Sequence, residues 1–232
     1  MAELIPAVFH WSGGKDSMLA LHYVLQQQQF DVRYLLTTVN HGFDRVAMHG
    51  VRATLLLEQV NALNIPLIEV RLPEMPDMAN YEAAINSVLK KLIAEGINHS
   101  IFGDIFLADL KAYREEQLAK IGMKAVFPLW QRNSLEVVKE FIHLGYQTIV
   151  VCTKDGLQDF CGRIIDDSFL ADLPTDVDPC GENGEFHTFV FDGPILNKPI
   201  NFKLGEKVFK TFPNPNQSEI PSGYWYIDLI PI

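Results

Sequence analysis

Across residues 7–127, strand-length apolar runs alternate with longer segments whose apolar residues recur every three or four positions. Residues 7–11, 32–39, 67–70, 100–103 and 125–127 have the length and apolar density of buried strands. Between them, residues 16–29, 51–63, 81–95 and 110–121 read as helices; the first carries Met18, Leu21, His22 and Leu25 on one stripe, and Gly96 and Gly122 close the last two. A crossover between parallel strands takes a helix. The alternation therefore predicts an α/β fold, a Rossmann-like doubly wound parallel sheet with helices on both faces.

After Pro128-Leu129-Trp130 the rhythm changes. Residues 134–144 form one more helical segment ended by Gly145, residues 147–152 one more strand, and beyond them come short segments rich in Gly, Pro and Asp. This predicts two domains, residues 1–130 with the parallel sheet and residues 131–232 as a smaller α+β domain that binds the acceptor substrate. A chain of 232 residues with 48% hydrophobic composition can bury one sizeable core and a smaller second one.

Several function classes drop out on composition. Nothing approaches the roughly 18 consecutive apolar residues of a membrane span, and the N-terminus lacks the order of a signal peptide, so the expectation is a cytoplasmic protein without a membrane partner. Cys152, Cys161 and Cys180 form no CxxC pair and no zinc spacing; they read as free thiols, and no residue is assigned as a metal ligand. With 19 Lys+Arg against 29 Asp+Glu the formal charge is −10, which speaks against general nucleic-acid binding but allows a local basic pocket for a small anion. Self-association as a homo-oligomer stays open.

The first strand runs into Ser12-Gly13-Gly14-Lys15-Asp16-Ser17. In an open parallel sheet the first strand-to-helix turn is the usual phosphate site. Gly13 and Gly14 can take conformations closed to other residues, so that successive N–H groups converge on one anion, and the next helix adds its positive end. Lys15 supplies a charge, Ser12 and Ser17 rotatable hydroxyls. The loop is not a Walker A motif, which needs Gly where Phe9 stands and Ser or Thr where Asp16 stands.

A second stretch, Cys180-Gly181-Glu182-Asn183-Gly184-Glu185-Phe186-His187, places two carboxylates and a histidine beside two glycines. Such a cluster could bind an ammonium ion, hold Mg²⁺ through water, deprotonate an amine, or simply form a polar turn. At the end of the fourth strand, Gly103 would leave room for a nucleotide and Asp104 would face a metal. Arg114 and Arg163 could each meet a phosphate or carboxylate, although Arg114 lies in a segment that also reads as a solvated helix face.

The Ser-Gly-Gly-x-Asp-Ser loop resembles that of the PP-loop ATP pyrophosphatases, which implies ATP held by its β and γ phosphates while a nucleophile attacks the α phosphate. Residues 180–194 resemble the C-terminal signature of the diphthine-ammonia ligase family, and further matches fall in order at 37–40 (TTVN), 48–52 (MHGVR), 103–105 (GDI), 127–130 (FPLW) and 162–163 (GR). The chain is thus similar to that family's bacterial-type branch up to about residue 210. The resemblance implies an ATP- and Mg²⁺-dependent, AMP-forming ligase that joins a small-molecule or protein-borne carboxylate to ammonia or an amine. It gives catalytic roles to Lys15, Glu182, Glu185 and His187. The nucleotide would be bound by Ser12, Gly13, Gly14, Lys15, Asp16, Ser17, Gly103, Asp104 and Arg163, with Asn40 and His49 placed where PP-loop relatives accommodate adenosine. His187 stands where many relatives carry another Glu. The alternatives are a PP-loop enzyme that modifies RNA and a nucleotide-binding sensor without chemistry.

Overall fold

The computed structural model describes residues 3–42, 44–46, 49–73, 77–212 and 222–232. The chain runs β1 (Ile5–His10), α1 (Lys15–Gln27), β2 (Phe30–Asn40), β3 (Arg45–Val46), α2 (Ala53–Leu63), β4 (Leu67–Leu72), α3 (Met78–Ala94), β5 (His99–Ile101), α4 (Ala108–Ala119) and β6 (Lys124–Val126). It continues through α5 (Ser134–His143), β7 (Gln147–Lys154), α6 (Asp167–Asp172), β8 (Phe186–Asp192), β9 (Phe202–Phe212) and β10 (Ser222–Pro231).

In the first sheet β1 lies between β2 and β5, with β4 outside β2 and β6 outside β5, all parallel. The short β3 pairs antiparallel with the end of β2. Chain order thus reverses between β1 and β5, and the carboxyl ends of these two strands bound the crevice where ligands of open α/β sheets sit. Alternation along β1 explains the two helical layers. Ala7 and Phe9 face a core shared with Met18 and Leu21 of α1 and Leu55 and Val60 of α2. Val8 faces the other side, with Leu89 and Leu92 of α3 and Leu118 of α4. This is the doubly wound arrangement read from the periodicity.

The second sheet is antiparallel, in the order β8-β7-β10-β9. Val150 of β7, Phe189 of β8 and Leu229 of β10 belong to the same apolar core as the α1 side of the first sheet, together with Phe141 of α5 and Phe169 of α6. One apolar core therefore fastens the second sheet to the first.

Three local differences from the sequence reading have physical causes. α2 begins at Ala53 because Val51 and Arg52 are used in a turn, where the Val46 N–H donates to the Val51 carbonyl at 2.8 Å. α3 begins earlier than expected because Asp77 caps it, accepting from the Asn80 N–H at 2.7 Å. The Gly-, Pro- and Asp-rich C-terminal segments prove to include two strands, β9 with 11 residues and β10 with 10. β9 is a largely exposed edge strand in which Glu206 and Lys210 interrupt the alternating Phe202, Leu204, Val208 and Phe212, which weakens the pattern that reveals a half-buried strand.

Gly193 after β8 has φ +156, and a Cβ there would lie 2.0 Å from Tyr146 Cδ1. Gly193→Ala is expected to cost about 2–4 kcal/mol, strain added to overpacking. Gly96→Ala, at φ +85 with open space around it, should cost only about 1–2 kcal/mol. Denaturant midpoints of the two variants check this; equal losses would mean that Tyr146 gives way freely.

Candidate functional site

The loop after β1 is built by its own polar groups. Gly13 takes φ +79, which lets the chain reverse before α1 starts. Ser12 Oγ accepts from the Gly14 N–H at 3.2 Å and lies 3.1 Å from Ser17 Oγ, which donates to the Gly14 carbonyl at 2.9 Å. Gln59 of α2 fixes the loop from behind. Its Nε2 donates to the carbonyls of Gly13 (3.0 Å) and Val190 (2.6 Å), and its Oε1 accepts from Trp11 Nε1 at 2.9 Å. The sequence reading missed Gln59, although a glutamine in the buried stripe of Leu55, Leu56 and Val60 was a usable signal.

Lys15, the first residue of α1, is only 3% exposed. Its Nζ donates to Asp16 Oδ2 at 2.8 Å and to the Cys180 carbonyl, and it lies 5.4 Å from the centre of the Phe186 ring. Burial works against its charge, but Asp16 and the other acids nearby outweigh it and hold the ammonium above its ordinary pKa. The Lys15 N–H donates to Thr188 Oγ1 at 3.0 Å, and the Val190 N–H to the Gly13 carbonyl at 3.0 Å. β8 and the turn before it thus engage donors that the loop would offer to a phosphate.

That turn has its own scaffold. Asp178 Oδ2 accepts from the N–H groups of Cys180 and Glu182, each at 3.0 Å, and Glu185 Oε1 accepts from the Asp178 N–H (3.2 Å) and Asn183 Nδ2 (3.0 Å). Gly181 has φ +69, and a Cβ on it would stand 2.8 Å from the Phe186 carbonyl oxygen. Glu185 thereby stays inside the turn, whereas Glu182 reaches across the crevice to accept from the Ile105 N–H at 2.7 Å. Burial pushes the Glu182 carboxyl up to about 7, the Ile105 hydrogen bond opposes this, and Asp16 and Asp104 reinforce it. Burial also raises Asp16 and Asp104, against the opposing pull of Lys15 and Arg114 respectively.

The remaining expected residues divide. His49 Nδ1 lies 3.1 Å from the Thr188 carbonyl oxygen, and its ring centre is 4.7 Å from that of His187, so both imidazoles come to the loop. Gly103 also does, but a Cβ there would stand 2.9 Å from the Ser17 N; the position is small because α1 itself packs on it. Asp104 pairs with Arg114, Oδ2 to Nε 3.0 Å, and the Arg114 guanidinium lies 4.3 Å from the centre of the Phe102 ring. Asn40 closes the turn into β3, its Oδ1 accepting from the Gly42 N–H at 2.9 Å. Arg163 pairs with Asp172 at 2.8 Å beside the Phe160 and Phe169 rings, on the second sheet's side of the molecule. Met48 of the MHGVR stretch lies outside the described residues. Thr188, Asp178 and the Cys180 carbonyl were not singled out in the sequence, because what they do depends on partners distant in the chain.

A phosphate-type loop at the switch point of a doubly wound parallel sheet is the architecture of nucleotide-binding α/β proteins. The chain is a member of the diphthamide synthase family: residues 6–125 match the diphthamide synthase N-terminal domain and residues 133–214 the C-terminal domain. It is 31% identical over 110 residues to the diphthine–ammonia ligase of Bos taurus and 30% identical over 110 residues to that of Homo sapiens, covering 44% of this chain and 41% of each relative. The chain thus spans about two fifths of the length of these curated relatives. Among solved structures, the U34-tRNA thiolase NcsA of Methanococcus maripaludis aligns with a TM-score of 0.39 at 18% identity, over 62% of this chain and 59% of its own. Among the described residues no helix is long and apolar enough to cross a membrane.

Glu182 supplies a pH test. Between about 4.5 and 7 the folded protein holds a proton on Glu182 that the unfolded chain releases, so this carboxyl costs stability as pH rises through that window. Glu182→Gln, which can still accept from the Ile105 N–H, should melt higher relative to wild type at about pH 8 than at about pH 5. Melting curves at both values decide it, and an equal difference at the two would contradict a raised carboxyl.

Proposed function

We propose that the chain is an ATP-dependent, AMP-forming ligase that activates a carboxylate substrate as its adenylate and passes the acyl group to ammonia or an amine; the curated relatives' name, diphthine–ammonia ligase, supports ligation with ammonia. The observation that carries this reading is the burial of Lys15 in the switch-point crevice, between the phosphate-type loop and the carboxylate-bearing turn of residues 178–185. A cation, loop N–H groups and a helix N-terminus converge on one side, and a carboxylate that titrates near neutrality stands on the other.

The residues divide the work accordingly. Lys15 and the loop amides exchange Thr188 Oγ1 and the Cys180 carbonyl for oxygens of the β and γ phosphates. The substrate carboxylate oxygen then bonds to the α phosphorus while the bond to the β phosphate oxygen breaks, and Lys15 neutralises the pyrophosphate that leaves. In the second step the nitrogen of ammonia or the amine bonds to the acyl carbon, AMP departs with the electron pair of the acyl–oxygen bond, and Glu182 accepts the nitrogen's proton. A pKa near 7 suits that transfer near neutral pH. Glu185 holds the turn that presents Glu182, and His187 lines the crevice with His49.

Among the described residues, no group of three or more His, Cys, Asp or Glu side chains is placed to hold a metal ion by itself. Magnesium bound through phosphates needs only one or two carboxylates, and Asp16 Oδ1, buried without a hydrogen-bond partner, meets that need. When bound, the ion would offset phosphate charge.

Lys15→Ala is expected to weaken ATP binding by about 1.5–3 kcal/mol, roughly tenfold to a hundredfold in Kd, measured by calorimetric titration. Phosphorus NMR of a turnover reaction with candidate carboxylic acids should show AMP and pyrophosphate. Accumulation of ADP and orthophosphate would overturn the adenylation scheme.

A further inference from the structure

His49 is held more firmly than a chance neighbour of the loop would be. It sits in the turn between β3 and α2, where the Gly50 N–H donates to the Val46 carbonyl at 3.0 Å. Arg45 and Arg52, on either side of this turn, both pair with Asp228 of β10, at 2.9 and 2.6 Å. Gly50 has no side chain where the Tyr226 ring packs: a Cβ would come within 2.8 Å of Tyr226 Cδ1. The imidazole is thereby pressed against the phosphate-type loop, its Cε1 lying 3.1 Å from the position of a Cβ on Gly14.

The contact with Thr188 fixes the tautomer. A backbone carbonyl only accepts, so the 3.1 Å hydrogen bond requires the hydrogen on Nδ1, and in the neutral ring Nε2 carries a lone pair. Burial lowers the His49 pKa to about 4, the Thr188 hydrogen bond opposes this, and Lys15 reinforces it. The groups that face the ring are Lys15 from α1 and the uncharged His187 from β8, while the charges of Arg45 and Arg52 are offset by Asp228. Near neutral pH the imidazole beside the loop is therefore a pure acceptor at Nε2. An ionised phosphoryl oxygen, which only accepts, cannot pair with it in that state.

Building on the nucleotide reading above, we propose that His49 is a phosphate ligand that takes up one proton when the nucleotide binds. A proton from solvent goes to Nε2, the new Nε2–H donates to a phosphoryl oxygen, and the Nδ1–H stays on the Thr188 carbonyl. An opposite charge within about 4–6 Å raises an imidazole pKa by about 1 to 3, and a polyphosphate brings several such charges. The ring is neutral in the free protein and charged in the complex. Binding therefore takes up a proton at any pH between the two values, and Kd rises by up to about tenfold per pH unit across that window.

The test is calorimetric titration of ATP and of inorganic pyrophosphate into wild type and His49→Asn, from about pH 5.5 to 8.5, in buffers of different ionisation enthalpy. Asn keeps an N–H for the Thr188 carbonyl but cannot titrate, and the ligands' own ionisation is common to both proteins. Wild type should take up as much as one proton more than the variant. It should bind at least about tenfold tighter near pH 6, with the gap closing as pH rises. Equal proton counts in the two proteins would overturn the inference and leave the nucleotide reading standing. Failure of wild type to bind either ligand would overturn both. Should the variant not fold, ring ¹⁵N NMR of wild type with pyrophosphate decides: an imidazolium His49 supports the proposal, and a neutral one refutes it.

Discussion

A single buried ammonium organises this molecule. Lys15 is almost fully enclosed, and an isolated charge in such surroundings would lose its proton rather than stay. It stays charged because Asp16 is adjacent in sequence and because the Cys180 carbonyl, 165 residues away, is brought onto it. The demand for oxygen partners around one nitrogen thus dictates where the turn of residues 178–185 must lie, and with it β8. A buried ion pair of this kind is weak evidence for stability, since removing both charges for apolar groups often costs nothing. Its value lies in specificity, because the same turn must bring the Cys180 carbonyl to Lys15 and the Glu182 carboxylate to the Ile105 N–H.

The apolar core and the polar joints have different tasks. Burial is nondirectional, and the core that joins the two sheets would tolerate small slippages of one against the other. Directional groups remove that freedom. Gln59 ties Gly13 to Val190, Thr188 ties the Lys15 and His49 segments to β8, and Asp228 ties Arg45 and Arg52 to β10. All three joints surround the loop after β1. The crevice is therefore cross-linked from several elements, which suits a site whose groups must be held in place before a reactant arrives.

Much of the fold was legible because its signal is local. The inner strands β1, β2 and β5 carry buried residues on both faces and the helices on one, so burial leaves its period in the sequence, and the order of elements then allows few topologies. The loop was legible for the same reason: Gly13, Gly14, Lys15 and the two serines act within one turn. β9 was not, because charged Glu206 and Lys210 break the apolar alternation of this exposed edge strand. The packing of α1 on Gly103 was not legible either, since nothing local tells whether a small residue makes room for a ligand or for a helix.

The sequence alone determined the parallel α/β architecture, the position of the phosphate-type loop and the family of the chain, all of which rest on residues close together along the backbone. Tertiary structure alone decided that Glu182 crosses to the loop after β5 while Glu185 stays in its turn, that Arg163 pairs with Asp172, and that Thr188 and the Cys180 carbonyl meet Lys15. The physical reason is that a carboxylate, a guanidinium or a carbonyl carries no record of its partner. Desolvation, charge and hydrogen-bond direction act through space, and they take values only once distant segments have been packed against one another.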